Sequence, residues 1–320
     1  MASASSHFHE KTRWHWLEII FWLATLLPFV VTPSYLSLAS QIAITALFAL
    51  SLDLILGYAG IVSLGHAAFF GVGAYAAGLL SKHYWNEPLA GLVLGAVAAG
   101  IVGYAVSHVI VRFRHLALIM LTMGFGLLLH EAANSASDLT GGADGLQGVN
   151  TGTLFGLRFD MFGRTAYAYS LAVLFVCFLV ARRIIHSPFG LALRGIRENA
   201  TRMPAIGAPS RAHLRKAYTI AAVLAGIAGA LLTHTTSTVS LETLSFGRSA
   251  DVLVILILGG AGRLYGGIIG AIIYMVARDQ FSGINPQYWY FWIGLLLVVV
   301  VMFLPNGILG GISALYKKRQ

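Results

Sequence analysis

Two ionisable side chains stand out in an otherwise apolar stretch, Asp53 and His66, both within LDLILGYAGIVSLGHAAFFG (Leu52 to Gly71). A carboxylate at the centre of a membrane helix costs about 2.5–3.5 kcal/mol on insertion scales, so Asp53 must face protein or water and have a partner. Two chemistries fit. Asp53 lines a solute or proton path together with His66, or it takes a structural hydrogen bond from a neighbouring helix end. Ser63, three residues ahead of His66, is placed to cap a helix that begins there. His66 then either meets a solute or is buried as packing. His130 and Glu131 close one apolar run and His234 another, and these ends are expected to touch water. Hydrolytic and metal chemistry have no support, because HExxH and G-x-S-x-G are absent and the histidines are scattered. No metal site is expected. Cys177, the single cysteine, reads as a small buried hydrophobe.

The same stretch contains a phrase that the chain writes twice. LILGYAG (Leu54 to Gly60) returns as LILGGAG (Leu256 to Gly262), with one position changed. Interrupted helices at matching places in two halves of a chain point to a transport path, and opened backbone survives at membrane depth only when buried in protein or lining a cavity. Gly57, Tyr58 and Gly60 in the first copy, and Gly259, Gly260 and Gly262 in the second, are therefore candidate path backbone. Ser63, His66 and Thr122 lie beside them. Gly262, Gly266 and Gly270 recur at i, i+4 and i+8, a stripe that admits close helix approach, and Gly91 with Gly95 offers a shorter one.

The elements that position these residues follow from composition. Of 320 residues, 58% are hydrophobic and 10% charged, and the mean hydropathy is +0.78. Soluble domains carry about 25% charge, so the class is an all-α polytopic membrane protein. Apolar runs fall at 17–33, 36–57, 66–81, 89–111, 116–134, 166–182, 216–236, 249–260, 264–278 and 289–304, about ten helices including short, broken or re-entrant ones. The hydrophobic character continues past the first run with no cleavage site, so that run is expected to be an uncleaved span.

The net charge of +9 is explained by orientation rather than by nucleic acid. Basic residues gather at Lys11 and Arg13, at Arg112 and Arg114, at Lys317, Lys318 and Arg319, and eight more lie from Arg182 to Lys216 against one acid, Glu198. The positive-inside rule places these regions, and both termini, in the cytoplasm. The expected organisation is a tail over 1–16, a transmembrane domain over 17–311, and a basic tail over 312–320. Loop 183–215 is cytoplasmic, and loop 135–165, with Asp138, Asp144 and Asp160, is external. Parity then requires 249–278 to be two short helices rather than one crossing.

The cytoplasmic loop contains SPFGLALRGIRENATRMPAIG (Ser187 to Gly207). Ser187 suits an N-cap and Pro188 the first helical position, while Pro204 ends the helix after about four turns. Phe189, Leu193, Ile196, Ala200 and Met203 form one apolar stripe, and Arg194 and Glu198 are spaced to pair on the polar side. A helix of this kind, pinned between two spans, is suited to act as a mechanical handle.

These stretches, with GYAGIVSLGHAAFFGVGAYAAGLL (Gly57 to Leu80), AYTIAAVLAGIAGALL (Ala217 to Leu232), LILGGAGRLYGGIIGA (Leu256 to Ala271) and LPNGILGG (Leu304 to Gly311), resemble the permease subunits of ATP-binding-cassette importers of the branched-chain amino acid family. The likeness runs from about residue 45 to 311 and is narrower toward the larger of the two membrane subunits. The resemblance implies an importer permease fold in the cell inner membrane, in contact with lipid. It also implies a second, similar permease, two cytoplasmic ATPases and an external solute-binding protein. The cargo would be branched-chain or other small, largely apolar amino acids. Coupling to the ATPases would fall on Phe189, Arg194, Gly195, Ile196, Arg197, Glu198, Asn199 and Gly207. No lysine follows a glycine, so the GxxxxGK[ST] phosphate loop is missing. This chain is expected to bind no cofactor, with ATP hydrolysed by its partners. The competing expectation is an ion-coupled carrier that uses Asp53 and His66.

Overall fold

The computed structural model describes residues 16–31, 33–154, 156–157, 159–160, 163–304 and 306–311. Lys11 and Arg13, like Lys317, Lys318 and Arg319, lie outside them. The apolar runs become helices: α1 (Trp16–Ala24), α2 (Leu36–Asp53, prolonged by a π-helical turn Leu54–Tyr58), α3 (Ala67–His83), α4 (Pro88–Ile110), α5 (His115–Ser135), α6 (Arg164–Ile185), α7 (Pro188–Glu198), α8 (Ser210–Thr236), α9 (Phe246–Gly259), α10 (Gly266–Ile284) and α11 (Trp289–Phe303). Among the described residues there is no strand, only the isolated bridges Leu146–Val239 and Leu154–Leu157.

Among the described residues, six helical segments are long and apolar enough to cross a membrane, beginning at Pro33, Pro88, His115, Arg164, Ser210 and Trp289. The remaining runs fall short of the ten crossings expected. The run 17–33 is divided: the Thr25 hydroxyl donates to the Trp22 carbonyl at 2.6 Å, and Pro28, lacking an N–H, opens a separate turn over Pro28–Val31. α3 has 17 residues and α9 has 14. At 1.5 Å per residue α9 spans about 21 Å, less than the roughly 30 Å hydrocarbon core. α10 carries Arg278 and Asp279 near its end.

α2 and α8 form the centre, with 78% and 72% of their apolar windows buried against 17% for α5 and 18% for α11, whose apolar faces are left for lipid. α8 packs along α3 and α4, and α2 along α6, α8 and α10. Small residues make this possible. A Cβ on Gly95 would stand 2.9 Å from the Gly73 carbonyl oxygen, and one on Gly103 or Gly226 would overlap Ala222 or Ala99. Gly91 lies against the His234 ring, a Cβ there being 2.6 Å from Nε2. α9 and α10 are a short helix pair, and α10 lies back on α9 with Gly270 facing the Ile255 carbonyl and Gly266 that of Gly260. Gly262 drops out of the expected stripe because it stands in the break between the two helices, at φ 78°.

Arg182, expected at the cytoplasmic end of the run 166–182, lies within α6, is buried, and forms an ion pair with Glu18 of α1.

Candidate functional site

Both glycine phrases end a helix and release the chain. The first copy widens into the π-helical turn over Leu54–Tyr58, and helix resumes at Ala67. The second stops at Gly259, and helix resumes at Gly266. Their last glycines occupy matching left-handed conformations, Gly60 at φ 74° and Gly262 at φ 78°. This region of the map is open to glycine and strained for other residues.

The two copies also meet. Asp53, buried on the last turn before the first break, accepts the Gly262 N–H through Oδ1 at 2.6 Å. Gly57 faces the same strand of backbone, and a Cβ there would overlap the Asp53 carboxylate and the Gly262 amide. Gly259 is as tightly held, with its open side filled by the Gly266 carbonyl. Gly260, at φ 110°, lies against the backbone of Asn306 and Gly307.

α7 reaches into this crossing. The Arg197 guanidinium donates from one Nη to the Gly57 carbonyl, and its stem lines Gly60, where a Cβ would be 3.1 Å from Arg197 Cγ. The Arg194 guanidinium sits 5.3 Å above the Tyr58 ring centre, a cation–π contact. Breaks from both halves of the chain and the connecting helix are thus one hydrogen-bonded unit.

The model for the branched-chain amino acid transport system permease component matches residues 34–301. The chain belongs to this family. It is 31% identical over 315 residues, 90% of this chain and 72% of the relative, to the high-affinity branched-chain amino acid transport system permease protein LivM of Salmonella typhimurium. It is 30% identical to the Escherichia coli protein of the same name, with the same coverage. It is 24% identical to a probable branched-chain amino acid transport permease protein LivM of Methanocaldococcus jannaschii, over 81% of this chain and 88% of that one. No solved structure matches.

In this permease α7 begins as its sequence suggests. Ser187 Oγ accepts the Gly190 N–H at 3.4 Å and Pro188 occupies the first turn. It ends early, after 11 residues rather than at Pro204. Asn199 leaves the helix in extended conformation, and its side-chain oxygen accepts the N–H groups of Thr201 and Arg202 at 3.2 and 3.1 Å. Local bonding of this kind competes with helix continuation. Leu193 and Ile196 are buried and Phe189 stacks on His213 with centroids 5.7 Å apart. Ala200 and Met203 lie beyond the helix, and the Met203 sulfur fills the space beside Gly195, 2.7 Å from a Cβ there. The expected Arg194–Glu198 pair is replaced by the Arg194–Tyr58 contact, and Glu198 and Asn199 are exposed. Gly207 ends the following 3₁₀ turn at φ 84°, with open space around it.

The polar residues beside the first break are buried in the bundle. His66 is fully buried, its Nε2 is 2.8 Å from Ser51 Oγ, and its ring stacks on Phe48. Asp53 and His66 therefore have separate partners and form no chain. Thr122 accepts the Leu64 N–H at 3.2 Å and donates to the Ile119 carbonyl at 3.0 Å. Ser63 is buried but caps nothing; the Ala67 N–H at the start of α3 is bound by Ser249 Oγ of α9, at 3.0 Å. His234 is also buried rather than wetted, with Nδ1 3.5 Å from the Tyr169 hydroxyl.

Sequence reading passed over Ser249 and a group at the opposite end from α7: Arg248 and Asp251 on α9, Tyr274 and Arg278 on α10. Their signal was available as polar residues at i, i+3 and i, i+4 within two short apolar helices.

Proposed function

We propose that this permease is one membrane-spanning half of an ATP-driven importer for branched-chain or similar small, largely apolar amino acids. It works in the inner membrane beside a second permease, with two cytoplasmic ATPases beneath and an external binding protein above. Loop 183–215 and both termini face the cytoplasm, and loop 135–165 faces outward. Similarity to branched-chain amino acid transport permeases supports the cargo class.

The observation that carries the coupling role is the hydrogen bond from Arg197 to the Gly57 carbonyl. Through it, displacement of α7 acts directly on the crossing of the two breaks, while α7's own ends pull on α6 and α8. Gly57, Tyr58, Gly60, Gly259, Gly260 and Gly262 serve as the moving joint. Ser63, His66 and Thr122 brace it.

The test is co-reconstitution in liposomes with the ATPase, companion permease and binding-protein subunits encoded alongside it. Leucine uptake that needs ATP and all subunits is expected. Uptake by this chain alone, driven by a proton gradient, would overturn the proposal in favour of an ion-coupled carrier.

A further inference from the structure

At the end of the bundle opposite α7, a cavity of about 340 Å³ opens between the starts of α2 and α9 and the ends of α8 and α10. Its size falls within the range of about 300–1,000 Å³ typical of small-molecule sites. Four charged side chains line it: Arg248 and Arg278, Glu242 and Asp279. The lining is thus balanced, two positive and two negative, a pattern that suits a dipolar solute better than an ion of either sign.

Each guanidinium lies over an aromatic ring. Arg248 lies 5.4 Å from the Phe70 ring centre and Arg278 5.0 Å from that of Trp289. Among the described residues neither forms an ion pair within 4.0 Å. A guanidinium over an aromatic ring keeps N–H donors that can take a planar anion such as a carboxylate through two hydrogen bonds. The half-buried Asp251, which shares a small adjoining cleft with both arginines, accepts the Tyr274 hydroxyl at 2.8 Å. Two arginines on short apolar helices are costly to keep in a membrane protein, and such residues mark substrate pathways.

We infer that this cavity is a receiving site for the zwitterionic head of an amino acid, with Arg248 and Arg278 taking the α-carboxylate and Glu242 with Asp279 the α-ammonium. The inference rests on the import reading above and supplies the contacts that the brace residues Ser63, His66 and Thr122 do not. Arg248 is also eleven residues ahead of Gly259, where its helix ends, so a solute held there is linked by one rigid rod of about 17 Å to the second break.

The test uses the assembled importer in proteoliposomes. Uptake of labelled leucine by the unaltered complex is the reference, and failure to take up any amino acid overturns the proposed function itself. Photo-leucine, which keeps both charges and carries a diazirine on its side chain, is then irradiated with the complex and labelled peptides of this chain are mapped. Label within 38–41, 232–248 or 275–282 is expected. Leucine should displace it about tenfold better than leucinamide or 4-methylpentanoate, each lacking one charge, since a charge-assisted hydrogen bond is worth that much or more. With uptake intact, label confined to other segments, or equal displacement by all three competitors, overturns the inference and leaves the import function standing. Arg248→Gln is expected to reduce labelling, with Arg248→Lys retaining more. If Arg248→Gln is lost from the membrane, Glu242→Gln on the exposed rim decides. It should narrow the preference for leucine over 4-methylpentanoate, and an unchanged preference overturns the inference.

Discussion

Asp53 and Gly262 are 209 residues apart and joined by a 2.6 Å hydrogen bond from the glycine amide to the buried carboxylate. The bond ties the last turn of one helix to the break in another, so the two halves of the permease share a joint. Asp53→Ala leaves that amide without a partner, a loss of about 1–3 kcal/mol for a buried group. Asp53→Asn keeps an acceptor and should lose less. Thermal unfolding of the purified permease in detergent should rank unaltered, Asn and Ala in that order. Equal midpoints for Ala and the unaltered chain would remove the bond from the account.

Gly57 has no room for a side chain, because the Gly262 backbone and the Asp53 carboxylate occupy the place of a Cβ. Gly57→Ala should push the copies apart at a cost of about 1–3 kcal/mol. The matching change at exposed, uncrowded Gly207 tests conformation alone, with a left-handed penalty of about 1 kcal/mol. Uptake should collapse for Gly57→Ala and survive for Gly207→Ala. Comparable uptake by the two variants would contradict the tight crossing.

Arg197 of α7 donates to the backbone of the break, at the Gly57 carbonyl. Arg197→Ala should leave ATP hydrolysis by the complex running while uptake per ATP falls about tenfold, one charge-assisted hydrogen bond's worth. Exposed Glu198, changed to Ala, should alter uptake per ATP less. Parallel phosphate-release and leucine-uptake assays give the ratio, and an unchanged ratio for Arg197→Ala would exclude this contact from coupling.

His66 stacks on Phe48 and bonds Ser51, whose hydroxyl also donates to the Phe48 carbonyl at 2.6 Å. His66→Phe keeps an aromatic ring on Phe48 and leaves Ser51 a partner, at an overpacking cost of about 1–3 kcal/mol. In the folded variant ATP-driven uptake should persist. Abolished uptake in a normally folded variant would instead assign the imidazole a part in transport.

The permease showed some of this in its sequence and hid the rest for identifiable reasons. The two breaks were readable because LILGYAG and LILGGAG place glycine where helix must stop, and helix does stop at Tyr58 and Gly259. The start of α7 was readable from Ser187–Pro188. Its end was not, because the apolar stripe runs on through Ala200 and Met203 while the Asn199 side chain captures the backbone that would extend it. Ser63, His66 and Thr122 were legible as polar residues in apolar surroundings, but their partners were not. Ser249, which caps α3, lies 182 residues from Ala67, and no local spacing carries that pairing. The same holds for the crossing: repetition announces two similar pieces, and only the fold brings Gly57 against Gly262.

The cap that Ser249 provides to Ala67 has one more consequence. It is a latch whose two jaws belong to different repeats, closed in a place that excludes solvent. Swinging the α9 arm away from α3 bares an amide that only water can then satisfy. Opening and hydration of this hinge are therefore a single event, and a hinge kept dry stays shut.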